Sequence, residues 1–186
     1  MSEIFICGDH HFSHKNIMKY DNRPFSSVEE MNDIMIERHN EIVNSKDIVY
    51  STGDFCFGGT KEWENIRKKL NGQWHLIRGN HDRQSFSFLK SLFCSISEIK
   101  NIKIRNQTIV LSHYPMYAWE KSHYGSFHCH GHEHGSLKDS YDMTGKILDV
   151  GVNTNSYYPY HIDEIIKIME SKPDNWNMID NRRLKC

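Results

Sequence analysis

The chain has 186 residues and a formal net charge of −1. That length fits one domain, residues 1–186, on the usual prior of roughly 100–200 residues per domain, and gives a core that needs no disulfide or metal staple. Near-neutrality leaves no global field for nucleic acid or an anionic membrane, so any attraction for phosphate has to be local.

In chain order, "MSEIFICG" opens with an apolar run far too short for a signal-peptide core or a membrane span, which predicts a soluble cytoplasmic protein with no membrane partner. The same run reads as a buried strand ended by Gly8. "SSVEEMNDIMIERHNEIVNS" predicts a helix capped by Ser26 or Ser27, with Glu29 or Glu30 three residues on. "DIVYSTG" is a second strand, "KEWENIRKKLNG" a helix stopped by Gly72, and "QWHLIRG" a third strand ending at Gly79. Asp82 to Ser91 has a helical pattern. "SISEIKNIKIRNQTIVLSH" then alternates apolar and polar residues on both sides of "RNQ", as a hairpin or meander would. "SFHCHG" and "KILDVGV" are short strands, "HIDEIIKIMESK" is a last helix, and the tail "DNWNMIDNRRLKC" has no period, so it reads as a docked strand or a frayed end. Strands alternating with helices, followed by a strand-rich half, predict an α/β layered fold around a mixed sheet.

Five scattered cysteines, Cys7, Cys56, Cys94, Cys129 and Cys186, form no CxxC pair and read as small core residues in a reducing compartment. Histidine is the unusual residue, with thirteen copies, many beside Gly, Asp or Asn. They gather where strands end. The first strand gives "GDHH", the second "TGDF", the third "RGNHD"; later ones give "LSHYP" and "HGHEH". Ligands collect beyond the carboxyl ends of strands in open α/β sheets, so five strands of one sheet would bring these groups to one rim. Gly8, Gly53, Gly79 and Gly131 would let the backbone turn and approach an ion.

On extended backbone, side chains two apart point the same way, so Asp9 and His11 would face one ion together while His10 faces inward. The same rule pairs His132 with His134 and turns Glu133 out. Asp54, Asn80 and His113 arrive singly. Seven mixed N and O donors are too many for one transition-metal site and suit two ions, with Mn, Fe, Zn or Ni favoured over Mg or Ca.

The series Gly8-Asp9-His10-His11, Gly53-Asp54, Gly79-Asn80-His81-Asp82, His113 and Gly131-His132-Glu133-His134 resembles the calcineurin-like metallophosphoesterase superfamily, with all five motifs in order. "DVGVNTNSYYPYHIDEI" also looks like the closing strand and helix of small bacterial and phage members. The resemblance implies a four-layer α-β-β-α sandwich of two mixed sheets flanked by helices. It implies one ion on Asp9, His11, Asp54 and His134 and a second on Asp54, Asn80, His113 and His132, with Asp54 shared. It implies hydrolysis of a phosphate ester by a hydroxide bridging the two ions, with His81 as general acid. Two divalent cations, two aspartates and one hydroxide leave a local charge of roughly +1, enough to draw an anionic ester to a neutral protein.

Asp82 is open to two roles, orienting the His81 ring or capping the helix after it. His14 is open to contact with substrate or to support of Asp9 from behind. Arg23, in "DNRPF", is placed to reach a phosphate or to make a surface salt bridge. In "YPMYAWEKSHYGSF", Tyr114, Tyr117, Trp119, Tyr124 and Phe127 stand between two ligand motifs, ready to stack on a nucleobase or to cover the core. His10, His128 and His130 read as interior histidines. A diester, with a nucleotide or nucleic-acid end as partner, is the favoured substrate, because no large insertion caps the rim. A phosphomonoesterase is the alternative, and a non-catalytic metal-binding scaffold a remoter one. No protein partner is legible.

Overall fold

A computed structural model describes residues 2–137 and 145–175. Nine strands form two mixed sheets among these residues. In the first sheet, β1 (Ile4–Cys7), β2 (Ile48–Ser51), β3 (Gln73–Ile77) and β4 (Ser95–Ser97) run parallel, and β9 (Tyr160–His161) pairs antiparallel with β1. In the second, β5 (Ile99–Ile104) and β6 (Gln107–Ser112) form an antiparallel hairpin, and β7 (Phe127–His130) and β8 (Ile147–Asp149) continue parallel to β6. The "RNQ" segment is thus a tight hairpin. Arg105 and Asn106 at its tip both have positive φ, 49° and 67°, which is what a two-residue turn matching the strand twist demands.

Between the strands lie α1 (Ile17–Tyr20), α2 (Val28–Ile42), α3 (Thr60–Lys69) and α4 (Phe86–Leu92), with α5 (Ile162–Glu170) at the end of the described chain. Ser27 caps α2 by accepting from the Glu30 amide, and the Glu30 carboxylate reaches back to the amide and hydroxyl of Ser26. The helix expected from Asp82 begins only at Phe86, and Ser85 caps it by accepting from the Phe88 amide. The capping role considered for Asp82 is therefore filled by another residue. Trp176 to Cys186, most of the aperiodic tail, lies outside the described residues.

Alternation along β1 shows how the layers hold together. Phe5 and Cys7 join a cluster with Met31, Met35, Trp63 and Leu89, from α2, α3 and α4. Ile4 and Ile6 face the other way, into a cluster with Ile109, Leu111, Phe127 and α5 residues Ile162, Ile165 and Met169. The central strand is thus apolar on both faces, as a strand between two layers must be. The outer face of the second sheet is covered by Trp119 and Met116 against Val110 and Ile147. Cys7, Cys56 and Cys129 are buried as expected of core residues, whereas Cys94 is exposed.

Near the first cluster, His39 of α2 lies against Trp74 and shares the Asn71 carbonyl with the Trp74 indole, at 3.0 Å and 2.8 Å. A carbonyl only accepts, so Nε2 of His39 carries the proton, and Nδ1 is buried with no hydrogen-bond partner. Burial pulls the His39 pKa down to about 4. A histidine depressed below its unfolded value of about 6.5 stabilises the fold above that pH, and the contribution drains away as pH falls toward 4. We expect His39→Gln, which keeps the Asn71 bond, to lose about 2 kcal/mol less stability than the parent between pH 7 and pH 4.5, read from urea unfolding. Equal losses for the two proteins would remove His39 from the acid sensitivity.

Candidate metal centre

The carboxyl ends of β1, β2, β3, β6 and β7 converge, but from two sheets rather than the one sheet that the sequence suggested. The parallel runs β1-β2-β3 and β6-β7 each bring their ends to one edge, and the two edges meet. The loops after β1 and β2 run side by side, with the amides of Asp9 and His11 donating to the carbonyls of Gly53 and Asp54 at 2.9 Å. Asp82 ties in the third loop. Its carboxylate accepts from the amides of Asp54 and Phe55 at 2.9 Å and of Gly79 at 2.8 Å. These bonds go to backbone and not to the His81 ring, so orientation of that ring by Asp82 has no direct bond behind it.

Two groups of donors result. Asp9, His11 and His134 form one, and Asp54, His113 and His132 the other, each with its donor atoms within 4.8 Å of one another. Asn80 joins the second through Oδ1, 2.9 Å from His113 Nε2 and 3.1 Å from His132 Nδ1. Asp54 Oδ2 stands 3.5 Å from His11 Nε2 and 3.5 Å from His113 Nε2, so one oxygen lies against both groups.

This division corrects the alternation argument. Asp9, His11, Asp54, His132 and His134 all have φ between 49° and 71°, the left-handed region, so the backbone at these positions is not extended. Asp9 and His11 still share a group, but His132 and His134 part. The glycines serve differently too. A Cβ at Gly79 would lie 2.1 Å from Asp54 Oδ1, and one at Gly131 would lie 2.6 Å from Asp9 Oδ2, so these glycines make room for the carboxylates.

The donor chemistry fits cations. Thr52 offers only its carbonyl to His113 Nδ1, at 2.9 Å, so that nitrogen carries the proton and Nε2 presents a lone pair. Facing Nε2 are Asn80 Oδ1 and Asp54 Oδ2, both acceptors. Asp9 Oδ1 and His11 Nε2 are buried without a hydrogen-bond partner among the described residues. Burial, aided by nearby carboxylates, pushes Asp9 up to about 8 although His134 and the His132 amide pull the other way, and burial raises Asp82 to about 7. Burial likewise holds His11 and His113 below the usual imidazole range. Opposed lone pairs and buried acids pushed above the usual carboxylate range are the signature of a site shaped for positive charge that side chains alone do not supply.

Around the centre, His81 sits at the rim, its ring 5.4 Å from that of His11, and its amide donates to Asp54 Oδ1 at 2.9 Å. His14 lies flat on Phe57, 4.0 Å between centroids, with Nδ1 3.3 Å from His11 Nδ1, so it adjoins His11 and not Asp9. Tyr114 is exposed, with its ring 4.5 Å from that of His132. Tyr117 is exposed as well, and its carbonyl accepts from Asn175. Trp119 and Phe127 are core, so the aromatic loop divides between rim and cover. His10, His128 and His130 are interior, as expected.

Arg23 departs from both of its expected fates. Its side chain is fully buried, and it donates to the Asp9 and His10 carbonyls at 2.7 Å and to Asp21 at 2.9 Å, so its ion pair is an interior one and its guanidinium does not reach the rim. Sequence reasoning missed Asp21, which also takes the Nδ1 of His134 at 3.2 Å, and Phe57. Asp21 stands in "DNRPF" two residues before Arg23, and Phe57 three residues after the Asp54 ligand.

Comparison with known proteins agrees with this geometry. The family model for calcineurin-like phosphoesterases matches residues 2–180. The chain is 35% identical over 175 residues to the uncharacterized protein MJ1445 of Methanocaldococcus jannaschii, covering 91% of this chain and 93% of that one. It is similar in fold to the protein of unknown function AQ665 from Aquifex aeolicus, with a TM-score of 0.73 at 24% identity over 90% of this chain and 100% of the other. With two sheets, five ordered strand ends and two donor groups that adjoin at Asp54, the chain belongs to the calcineurin-like phosphoesterase family.

Proposed function

We propose that the protein is a phosphodiesterase working with two divalent transition-metal ions, Mn foremost, on a nucleotide or nucleic-acid-type ester. The observation that carries the diester reading is the position of His81. It lines two cavities, one of about 300 Å³ over the donor groups and one of about 330 Å³ on its far side, and Phe57 lines both. A monoester needs room for one organic group. A diester needs room for two, and the second cavity, which shares His81 and Phe57 with the first, would supply it. The far cavity offers the Phe57 ring, 47% exposed, one cation in Arg83 and the amide of Gln84, which suit a planar base and a further phosphate. Tyr114 adds a second exposed ring beside His132.

When bound, the ions would polarise the phosphoryl oxygens and sharpen a water for attack. Asp9, His11, Asp54 and His134 would hold one and Asp54, Asn80, His113 and His132 the other. His81, bonded through its amide to Asp54, would give its ring proton to the leaving oxygen. Asp82 would act through the backbone, fixing the loops that carry Asp54 and Asn80. No helix among the described residues is long and apolar enough to cross a membrane, which accords with a cytoplasmic reading.

With Mn supplied, bis-p-nitrophenyl phosphate should be hydrolysed faster than p-nitrophenyl phosphate; a strong preference for the monoester would replace the diester reading with the phosphatase one. His81→Ala should retain metal while losing about 100-fold or more in kcat on a diester with a poor leaving alcohol, and much less on a nitrophenolate ester. Equal losses on both esters would exclude the acid role. Asp54→Asn should lower the occupancy of both ions together, measured by elemental analysis after dialysis.

A further inference from the structure

Asp21 lies outside the five motifs, yet it is built into the half of the site that Asp9, His11 and His134 form. Its Oδ2 accepts from Arg23 Nε at 2.9 Å and faces His134 Nδ1 at 3.2 Å. Its Oδ1 lies 3.5 Å from the Asn153 amide nitrogen, which also donates to the His134 carbonyl at 2.7 Å. The Asp21 side chain is 10% exposed and that of His134 18%. A carboxylate facing Nδ1 fixes the proton there, so His134 must present Nε2, as a lone pair, toward Asp9 and His11.

Arg23 makes this arrangement rigid. A guanidinium buried to this degree is costly unless its donors are met. Here one fork holds the carbonyls of Asp9 and His10 while Nε holds Asp21. The arginine thereby fixes the distance between the loop bearing Asp9 and His11 and the carboxylate that orients His134. The other half is held differently, with the proton of His113 Nδ1 going to the Thr52 carbonyl.

We infer that Asp21 is a positioning residue for one metal ion of the pair, orienting His134 through Nδ1 while Arg23 braces it against the Asp9 loop. This rests on the reading of the site as holding two ions. Its consequence is asymmetry, since loss of the Asp21 charge should weaken the ion on Asp9, His11 and His134 and spare the ion on Asp54, Asn80, His113 and His132.

The test is titration of the full-length protein, stripped of metal, with Mn²⁺, followed by calorimetry and by electron paramagnetic resonance. The parent should bind two equivalents. Asp21→Asn should bind one with parental affinity and the other about 10- to 100-fold more weakly, with an isolated-Mn signal at one equivalent that gives way to a coupled pair only at excess metal. Asp21→Ser serves if the asparagine variant lacks a native near-ultraviolet circular dichroism spectrum. In a His134→Ala background, where the ligand itself is gone, Asp21→Asn should change metal binding no further. Two unchanged affinities, equal weakening of both, or a further loss in that background would each overturn the inference. A parent that binds no Mn²⁺ would overturn the two-ion reading itself and this inference with it, and that result is distinct from the other three.

Discussion

A single oxygen, Oδ2 of Asp54, lies 3.5 Å from a ring nitrogen in each of two histidine sets that otherwise do not share a ligand. Burial denies it water, and it sits among acceptors. Asn80 Oδ1, His113 Nε2 and His11 Nε2 all turn toward the same space, and no proton arranged among them satisfies every lone pair. Much of the molecule is organised to hold groups that repel one another when no cation is present. The five strand ends, the glycines beside the carboxylates and the buried Arg23 each have a direct part in that.

The backbone carries part of the cost. Five of the seven metal-facing residues, Asp9, His11, Asp54, His132 and His134, adopt left-handed conformations that non-glycine residues avoid. Such geometry persists only where the surroundings over-determine it. Here they do so through cross-loop bonds. Asp9 and His11 amides go to Gly53 and Asp54, the Asp54 and Phe55 amides go to Asp82, and the His132 amide goes to Asp9 Oδ2. No loop is tied only to itself. Bonds of this kind from the loop of a neighbouring strand are how short connections achieve the precision of regular structure.

Most of the site's membership was legible because parallel strands leave a strong trace, an apolar run, a glycine and then polar side chains. That trace located Asp9, Asp54, Asn80 and His113 without knowledge of which sheet each strand joins. The period-two rule failed just past the strand ends, where left-handed residues replaced pleated ones, so His132 and His134 were paired when the fold separates them. Neither role considered for Asp82, orienting the His81 ring or capping the next helix, named its backbone partners, because Asp54 and Phe55 stand 28 and 27 residues earlier, beyond any local pattern. Arg23 was misplaced for a similar reason. Whether an arginine after a short helix is exposed depends on α2, whose Met31 and Met35 sulfurs lie 3.7 and 3.9 Å from Nη1. Local sequence records what a residue can donate, and only tertiary packing decides to whom.

Each donor group draws on both sheets. Asp9 and His11 follow β1 while His134 follows β7; Asp54 follows β2 while His113 and His132 follow β6 and β7. Ions held there would link the two sheets at one edge. The sheets do not depend on that link for their alignment, because Ile6, Ile77, Ile109, Leu111 and Phe127 already pack between them with α5. Hydrophobic burial sets the position of the strand ends, and the strand ends set the donor spacing. The packing of the two sheets therefore fixes the donor spacing, and burial there raises Asp9 to about 8. Asp82 and Arg23 sit behind the donors, buried and bonded to backbone, because a cluster of acceptors has to be held in place by groups that do not face it.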